Sequence, residues 1–355
     1  MRNKRNRKSI YLPTEVSPLP LGIKLSLLYK IKYEKPLDYP RNFWIEVTNE
    51  CNLRCIMCPQ SKGLKRKKMM MGMDAFISII DQISISKPTL MLHHSGEPLL
   101  NENLCEMIEY AKKRGCRVGL STNATLLTEE RSIHILKTSL DFLSFSFDGC
   151  TPEVYEKVRV GANFEQVKSQ IETFLRLRSQ MRRKKPHTKI EIIFMKETYQ
   201  HTSQFIKYWQ TKAVDRVGIR PVSTWCGLVD SHSVFRGLTV PTYGYGHRPC
   251  RDIFYKCAIL VDGTVVPCCG DFEGGLPMGN IFTQPFNEIW NGDLYSQLRA
   301  QHLYNTLPEN SICHRCGSSG CWSRREQIFV LIFNKLIRFC RFLDEFPHQI
   351  KWEST

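Results

Sequence analysis

Three cysteines lie close together near the start of the chain. Cys51, Cys55 and Cys58 are separated by three and by two residues, in a loop that directly follows an apolar, strand-like segment. Zinc sites and ferredoxin-type sites usually take four protein ligands. Three thiolates with no fourth cysteine nearby favour a four-iron four-sulfur (4Fe-4S) cluster in which one iron stays open to a substrate or cofactor. Three loop cysteines that bind no metal are the less favoured alternative in this strand-loop-helix context.

A second set of cysteines occupies the C-terminal third of the chain. Cys250 and Cys268 flank Gly263, and Cys313 and Cys316 follow with two residues between them. Four thiolates suffice for one closed 4Fe-4S cluster. The same four could instead hold zinc in a ribbon-like unit. The spacing alone leaves both metals open.

Alternating strand-like and helix-like segments must position these cysteines. Apolar runs predict six strands, and the amphipathic segments between them predict helices. The predicted strands are Phe43–Thr48, Leu90–His94, Arg117–Ser121, Leu140–Phe147, Lys189–Met195 and Val214–Arg220. This alternation favours a parallel sheet with right-handed crossovers, either open or closed into a barrel. Chemistry in such sheets lies at the carboxyl ends of the strands, and the first cysteine loop follows such an end.

The composition is that of a chain large enough to bury a core. It has 355 residues, of which 42% are hydrophobic, and its 50 Lys and Arg exceed its 34 Asp and Glu by a formal charge of +16. The length suggests two domains, or one large domain with an appendage. No signal peptide or membrane span is predicted. We therefore expect a reducing, cytoplasmic compartment, in which cysteines bind metal rather than form disulfides.

Positive charge is concentrated in three places, namely residues 1–35, 62–68 and 176–189. Such runs are usually solvated loops or helix faces. The alternative is attraction of an anionic partner, such as a phosphate-bearing substrate, nucleic acid or an acidic membrane surface. Because no interleaved aromatic residues or nucleic-acid-binding motif accompany the runs, nucleic-acid binding is not indicated.

The first cysteine loop resembles that of the radical S-adenosylmethionine (SAM) enzymes, and the resemblance extends over about residues 40–220. It implies a partial (β/α)6 barrel whose first strand precedes the loop, with Cys51, Cys55 and Cys58 as cluster ligands. In that family SAM chelates the open iron and is reductively cleaved to a 5′-deoxyadenosyl radical. The residue before the third cysteine is often aromatic there and lies near adenine. Met57 takes its place, and a flexible thioether can also pack against a π face.

Further motifs that match the family follow predicted strands in the expected order. Ser95-Gly96-Glu97-Pro98 is similar to the element that receives the ammonium group of SAM. The resemblance implies SAM contacts from Met57, Ser95, Gly96, Glu97, Ser121, Asn123 and Arg159. Within this set, Ser121 and Asn123 would contact the ribose and methionyl part, and Arg159 the carboxylate. A permanently charged, forked guanidinium suits a carboxylate better than a lysine would.

The second cysteine set resembles a reduced form of the SPASM domain, an auxiliary iron-sulfur extension of this family. The resemblance implies one auxiliary 4Fe-4S cluster on Cys250, Cys268, Cys313 and Cys316. Four other cysteines are spare candidates for a second, incomplete cluster, and these are Cys257, Cys269, Cys321 and Cys340. Within the same segment, Asp262-Gly263 between apolar runs predicts a hairpin turn.

Together these features predict an α/β protein with a partial (β/α)6 barrel and a small, cysteine-rich C-terminal α+β domain. The expected divisions are a basic extension (1–39), a radical SAM core (40–222), a linker (223–249), an auxiliary cluster domain (250–327) and a C-terminal helix and tail (328–355). The expected reaction is hydrogen abstraction from a substrate, and a two-electron oxidation of a sugar or aminocyclitol carbinol is the first choice. Modification of a ribosomally made peptide is the alternative enzyme reaction. From another class, a non-catalytic, metal-stapled binding protein would need neither Glu97 nor Arg159.

The expected reaction implies two partners. One is a small-molecule or peptide substrate, and the other is an electron donor such as flavodoxin or ferredoxin. A peptide substrate with an acidic leader would suit the basic surface. No individual catalytic residue is predicted beyond the ligands and the SAM contacts.

The two cysteine sets predict the metal content. Anaerobically reconstituted protein should carry about eight irons, because two 4Fe-4S clusters hold four each. Iron and zinc are measured together by elemental analysis. About four irons with about one zinc would contradict the auxiliary cluster, and protein without iron would contradict both.

Overall fold

Nine strands in the described part of the chain form one sheet. The computed structural model describes residues 37–229, 250, 252–304, 306–314 and 316. The strands are β1 (Asn42–Ile45), β2 (Thr89–Met91), β3 (Arg117–Thr122), β4 (Phe142–Ser146), β5 (His187–Phe194), β6 (Arg216–Pro221), β7 (Lys256–Ile259), β8 (Thr264–Val266) and β9 (Gly279–Asn280). Their order in the sheet is β6-β5-β4-β3-β2-β1-β7-β8-β9. Strands β1 to β6 are parallel neighbours, which confirms the predicted partial (β/α)6 barrel.

Helices connect the parallel strands, as the alternating pattern predicts. The connecting helices are α1 (Met73–Ile83), α2 (Leu104–Lys113), α3 (Glu129–Lys137), α4 (Pro152–Val158), α5 (Phe164–Gln180) and α6 (Thr202–Gln210). Two further helices, α7 (Phe286–Asn291) and α8 (Asp293–Tyr304), follow β9. Helix α4 is short and starts with a proline, so its apolar period was too brief to be predicted. Among the described residues, none of the helices has the length and apolar character needed to cross a membrane.

The two faces of the parallel sheet differ in polarity. Alternate residues such as Phe43, Leu90, Leu120 and Ile192 are fully buried under the helices. The residues between them face the inside of the half-barrel and include polar side chains, as the period of two in a strand requires. This inner face is called the lumen below.

The C-terminal cysteine segment is built onto the same sheet. Strand β7 pairs in parallel with β1, from Asn42 opposite Lys256 to Ile45 opposite Ile259. The hairpin β7–β8 turns at Gly263, whose φ of 83° suits the predicted turn. The sequence suggested a separate small unit, but the long-range pairing of β1 with β7 makes the sheet continuous.

Several sequence predictions concern residues outside the described ranges. These are the basic extension up to residue 36, most of the linker, the helix at 328–343, Cys321 and Cys340. The described part of the linker, residues 223–229, includes the buried Cys226 and Val229.

A buried carboxylate joins the barrel to the auxiliary segment. Glu46 follows β1, is 0% exposed, and accepts two hydrogen bonds from the guanidinium of Arg66, at 2.8 and 2.7 Å. It also accepts from His94 Nδ1 at 3.2 Å, from the hydroxyl of Ser95, and from the backbone N–H of Val261 at 3.0 Å. The network therefore connects the ends of β1 and β2, the 62–68 loop and the segment after β7.

The network controls the charge on Glu46. Burial acts to raise the pKa of this carboxyl, but hydrogen bonds and positive charge from Arg66 and His94 outweigh burial, so the pKa lies well below its ordinary value of 4.5. Arg66 belongs to a basic run expected to be a solvated loop, yet its side chain is only 14% exposed. It also donates to the carbonyl of Phe272 at 3.0 Å.

Replacing Arg66 by Met should destabilise the protein by about 3 kcal/mol, because Glu46 would remain buried without its main partner. Chemical unfolding of the reconstituted protein measures this loss. The stabilisation by ionised Glu46 is complete above the pKa that this carboxyl has in the unfolded chain, and it is lost as the pH falls through the folded pKa. The free energy of unfolding of the variant should therefore change less with pH between these two pKa values. Arg114→Met, which removes the exposed Arg114–Asp81 pair, is the control and should change stability little. Equal effects of the two substitutions would contradict the proposed importance of Glu46.

Candidate active site

The first cysteine loop is anchored to the end of α4. The backbone N–H of Arg54 donates to the carbonyl of Val160 at 2.9 Å, and that of Ile56 donates to Val158 at 3.1 Å. Alternate side chains of the loop are therefore held against the protein interior. Helix α4, which the sequence did not predict, fixes the shape of the ligand loop.

The three predicted ligands gather on one apolar surface. Cys55 and Met57 are buried in a cluster with Leu53 and Val158, and Cys51 and Cys58 pack against it. Burial, with a smaller contribution from neighbouring negative charges, raises the pKa of Cys51 to about 11 and that of Cys58 to about 12. Such thiols do not ionise together unless a cation compensates their charge. Iron supplies that charge, so these donors fit the ligand loop of a cluster.

Gly96 and Glu97 lie directly against the strand that leads into the cysteine loop. A Cβ on Gly96 would come within 2.4 Å of the carbonyl oxygen of Thr48, so only glycine fits this approach. The N–H of Glu97 donates to the carbonyl of Glu50 at 2.8 Å. The predicted ammonium-binding segment is thus held beside the predicted cluster ligands.

The carboxylate of Glu97 orders the end of β3. It is buried and accepts hydrogen bonds from Thr122 Oγ1 at 2.6 Å, the N–H of Asn123 at 2.7 Å and the N–H of Leu99 at 3.2 Å. Burial raises the pKa of Glu97, and these donors oppose that rise. Asn123 in turn directs its side-chain amide to Asn52 at 2.9 Å, and lies 4.0 Å from Cys51 Sγ. The structure thereby brings three predicted site residues together.

Arg159 points at the cluster loop from the end of α4. Its Nε donates to Asp148 Oδ2 at 2.7 Å, and its Nη1 lies 3.6 Å from Cys55 Sγ. The charge on Asp148 helps to raise the pKa of this guanidinium despite its burial. Asp148, two residues after β4, was not singled out in the sequence. A fixed positive charge therefore lies beside one of the predicted cluster ligands.

The remaining predicted SAM contacts take different positions. Met57 packs into the apolar surface beneath the loop. The hydroxyl of Ser95 donates to Glu46, and its carbonyl accepts from Gln60 Nε2 at 3.0 Å, so both groups have partners within the chain. Ser121 faces the lumen, where its hydroxyl lies 3.3 Å from that of Ser146 and its N–H donates to His93 Nδ1 at 3.1 Å.

The second cysteine set surrounds one cavity. Cys250, Cys268, Cys313 and Cys316 all line it, so the four predicted ligands of the auxiliary cluster lie together. A fifth cysteine, Cys226, lines the same cavity although the sequence placed it in a linker. A Cβ on Gly270 would lie 3.1 Å from Cys226 Sγ and 3.4 Å from Cys268 Sγ. Burial and the neighbouring thiolates raise the pKa of Cys313 to about 12.

The described spare cysteines lie elsewhere. Cys257 belongs to β7 and is fully buried, and burial raises its pKa well above the ordinary value. Cys269, beside the ligand Cys268, is near Lys256 and Asp252 and does not line the cavity. Within the described residues, neither is placed with the cysteines around this cavity.

The half-barrel carries a three-cysteine loop at the end of its first strand, and a cysteine-lined cavity follows on the same sheet. These two features are those of an iron-sulfur protein with a principal and an auxiliary site. Residues 45–208 match the Radical SAM superfamily, and residues 250–317 match the SPASM family, described as an iron-sulfur cluster-binding domain. The chain therefore carries a radical SAM domain and a SPASM domain. Its cofactors are SAM, the 4Fe-4S cluster of the radical SAM domain and an auxiliary iron-sulfur cluster.

Two relatives match over most of the chain. One is the tungsten-containing aldehyde ferredoxin oxidoreductase cofactor-modifying protein of Pyrococcus furiosus, which is 23% identical over 84% of this chain and 96% of its own length. The other is the AdoMet-dependent heme synthase of Methanosarcina barkeri, 26% identical over 73% and 85%.

Solved structures show the same fold. BtrN in complex with AdoMet and 2-DOIA has a TM-score of 0.53 and 18% identity, covering 78% of this chain and 92% of its own. Streptococcus suis SuiB bound to its precursor peptide SuiA has a TM-score of 0.61 and 15% identity, covering 87% and 78%. These likenesses concern the architecture.

Glu97→Gln should weaken SAM binding by about 10–100-fold, because the carboxylate positions groups around the cofactor. The iron content should stay unchanged, since Glu97 is not a ligand. Equilibrium binding of SAM to the reconstituted protein, together with iron analysis, measures both effects. The exposed Glu102 gives the matched control Glu102→Gln. Unchanged SAM affinity in the Glu97 variant would contradict its assignment.

Proposed function

We propose that this protein uses radical chemistry to oxidise a carbinol on a sugar or aminocyclitol. The observation that carries the proposal is the polar lumen at the carboxyl ends of the strands. A hydroxylated small molecule needs hydrogen-bond donors and acceptors on its pocket wall, and β3, β4 and β5 supply them on one face.

Register places these polar residues side by side. Ser121 lies opposite Ser144, and Ser146 lies opposite Glu191, on neighbouring strands. Glu191 forms an ion pair with Lys189, and its Oε2 is 3.7 Å from Arg220 Nη1. The lumen therefore contains a carboxylate between two cations, together with three serine hydroxyls.

His93 adds a further donor to this surface. Its Nδ1 accepts from the N–H of Ser121, so the ring carries its proton on Nε2. Burial, and then the positive charges of His94 and Arg220, lower its pKa to about 3. His93 is therefore neutral near pH 7 and binds a substrate as a hydrogen-bond donor rather than as a cation.

The proposed reaction is a loss of two electrons and two protons from the carbinol. The bound cofactors supply a 5′-deoxyadenosyl radical that removes the carbinol hydrogen atom, and an auxiliary iron-sulfur acceptor for the second electron. Glu191 is proposed to take the hydroxyl proton, and Lys189 and Arg220 to orient the substrate oxygens. The carbinol then becomes a carbonyl. One closed set of four ligands, Cys250, Cys268, Cys313 and Cys316, is proposed to hold the acceptor.

Peptide modification is the second candidate. It is supported by the fold of SuiB, which has been solved with its precursor peptide, and by the basic residues that would attract an acidic leader. The ion-paired lumen favours a compact polar substrate instead. In either reaction we propose a flavodoxin or ferredoxin as the electron donor and a reducing, cytoplasmic location.

The proposal predicts direct hydrogen transfer from a carbinol. Dithionite-reduced protein should be incubated with SAM and a panel of aminocyclitols and sugars, with acidic-leader peptides as the competing class. With a carbinol-deuterated substrate, deuterium should enter 5′-deoxyadenosine, and one carbonyl product should form per productive cleavage. Turnover of peptides only would contradict the proposal.

Two sets of variants separate the roles of the residues. A Cys268→Ala, Cys316→Ala protein should still cleave SAM but should lose the oxidised product. Glu191→Gln should slow oxidation about 10²–10⁴-fold, the range for loss of a general base, while Glu165→Gln, on the exposed face of α5, should not. Full product formation without the auxiliary cluster would contradict the oxidative assignment.

A further inference from the structure

One histidine faces the auxiliary cavity from the last turn of α8. His302 is 7% exposed and lines the cavity together with the cysteines. It was not singled out in the sequence, because a lone histidine near a helix end has no metal-ligand spacing. Its position requires an explanation, since buried imidazole nitrogens normally have hydrogen-bond partners.

The hydrogen bonding of the ring fixes its tautomer. The backbone N–H of Cys250 donates to His302 Nδ1 at 3.4 Å. Because Nδ1 is an acceptor, it carries no proton, and the neutral ring must carry its proton on Nε2. His302 therefore presents one N–H donor on its other side.

That donor has no acceptor among the described residues. Nε2 of His302 is buried without a hydrogen-bond partner, and an unmade hydrogen bond of this kind destabilises a fold. The other residues of the cavity wall provide few hydrogen-bond acceptors for this N–H group. Ile253, Pro267 and Ile312 are apolar, and both carboxylate oxygens of Asp271 already accept backbone N–H groups, from Gly275 at 2.7 Å and Leu276 at 2.9 Å.

We propose that His302 Nε2–H donates a hydrogen bond to a sulfur of the auxiliary cluster, either an inorganic sulfide or a cysteine Sγ. His302 is thus a positioning residue that tunes the cluster rather than a ligand. The inference rests on the four proposed ligands and on the presence of the cluster, but not on the identity of the substrate.

The bond has a defined electrostatic consequence. Reduction adds a negative charge to the cluster, and a donor aimed at its sulfur stabilises the reduced form more than the oxidised form. Hydrogen bonds to cluster sulfurs are among the factors that set reduction potentials. His302 should therefore raise the reduction potential of the auxiliary cluster and make it a better electron acceptor.

The test isolates the auxiliary cluster in the full-length chain. A Cys51→Ala, Cys55→Ala, Cys58→Ala protein should hold only that cluster, and its EPR signal is titrated against potential. In this background His302→Leu should lower the potential at unchanged iron content. His302→Gln, whose amide can donate from a similar place, should restore most of the difference, and the exposed His134 gives the control His134→Leu.

Each outcome decides the proposal. An unchanged potential in the iron-loaded Leu variant overturns it. If the Leu variant fails to hold iron, a second measurement replaces its titration. Pulsed EPR is then recorded on the reduced Cys51→Ala, Cys55→Ala, Cys58→Ala protein, labelled with ¹⁵N-histidine. A weak ¹⁵N coupling that disappears in His302→Gln supports the hydrogen bond, whereas no coupling, or the strong coupling of a directly bound nitrogen, overturns it. Absence of carbinol oxidation would contradict the proposed function and leave this result intact.

Discussion

The ionised carboxylate of Glu46, buried at the end of β1, is the interaction on which the geometry of both sites depends. It lies a few residues before the first cysteine ligand, and its partners come from the 62–68 loop, the end of β2 and the segment after β7. A charge in this position is stable only if every partner stays in place. The requirement to satisfy one carboxylate thus constrains the cysteine loop, the Ser95–Glu97 segment and the auxiliary segment at the same time.

Buried carboxylates also fix the chain at the predicted SAM site. Glu97 accepts from Asn123 and Asp148 accepts from Arg159, so each carboxylate orders a segment that carries a predicted cofactor contact. These contact residues are thereby positioned before any cofactor binds, which reduces the entropy cost of binding. Arg159 shows the effect clearly, since Asp148 holds the guanidinium that reaches Cys55.

Local patterns were sufficient to predict the ligand loop, the six parallel strands and the hairpin at Gly263, because apolar periodicity and turn chemistry are properties of neighbouring residues. Long-range features were not predictable in this way. The pairing of β1 with β7, the burial of Arg66 within a basic run, and the approach of Cys226 to the auxiliary cavity each depend on residues far apart in the chain. His302 was missed for a related reason, since its significance lies in an unsatisfied nitrogen that only tertiary structure reveals.

The parallel pairing of β1 with β7 has a mechanical consequence. The principal cysteine loop follows β1, and the predicted auxiliary ligand Cys268 follows β8, so the β1–β7 and β7–β8 ladders connect the two strands that lead to the ligand sets. A flexible tether would let the distance between these strands fluctuate, whereas neighbouring strands are held about 4.8 Å apart. A shared sheet therefore limits how far thermal motion of the chain can change the separation of the two segments that carry the predicted ligands.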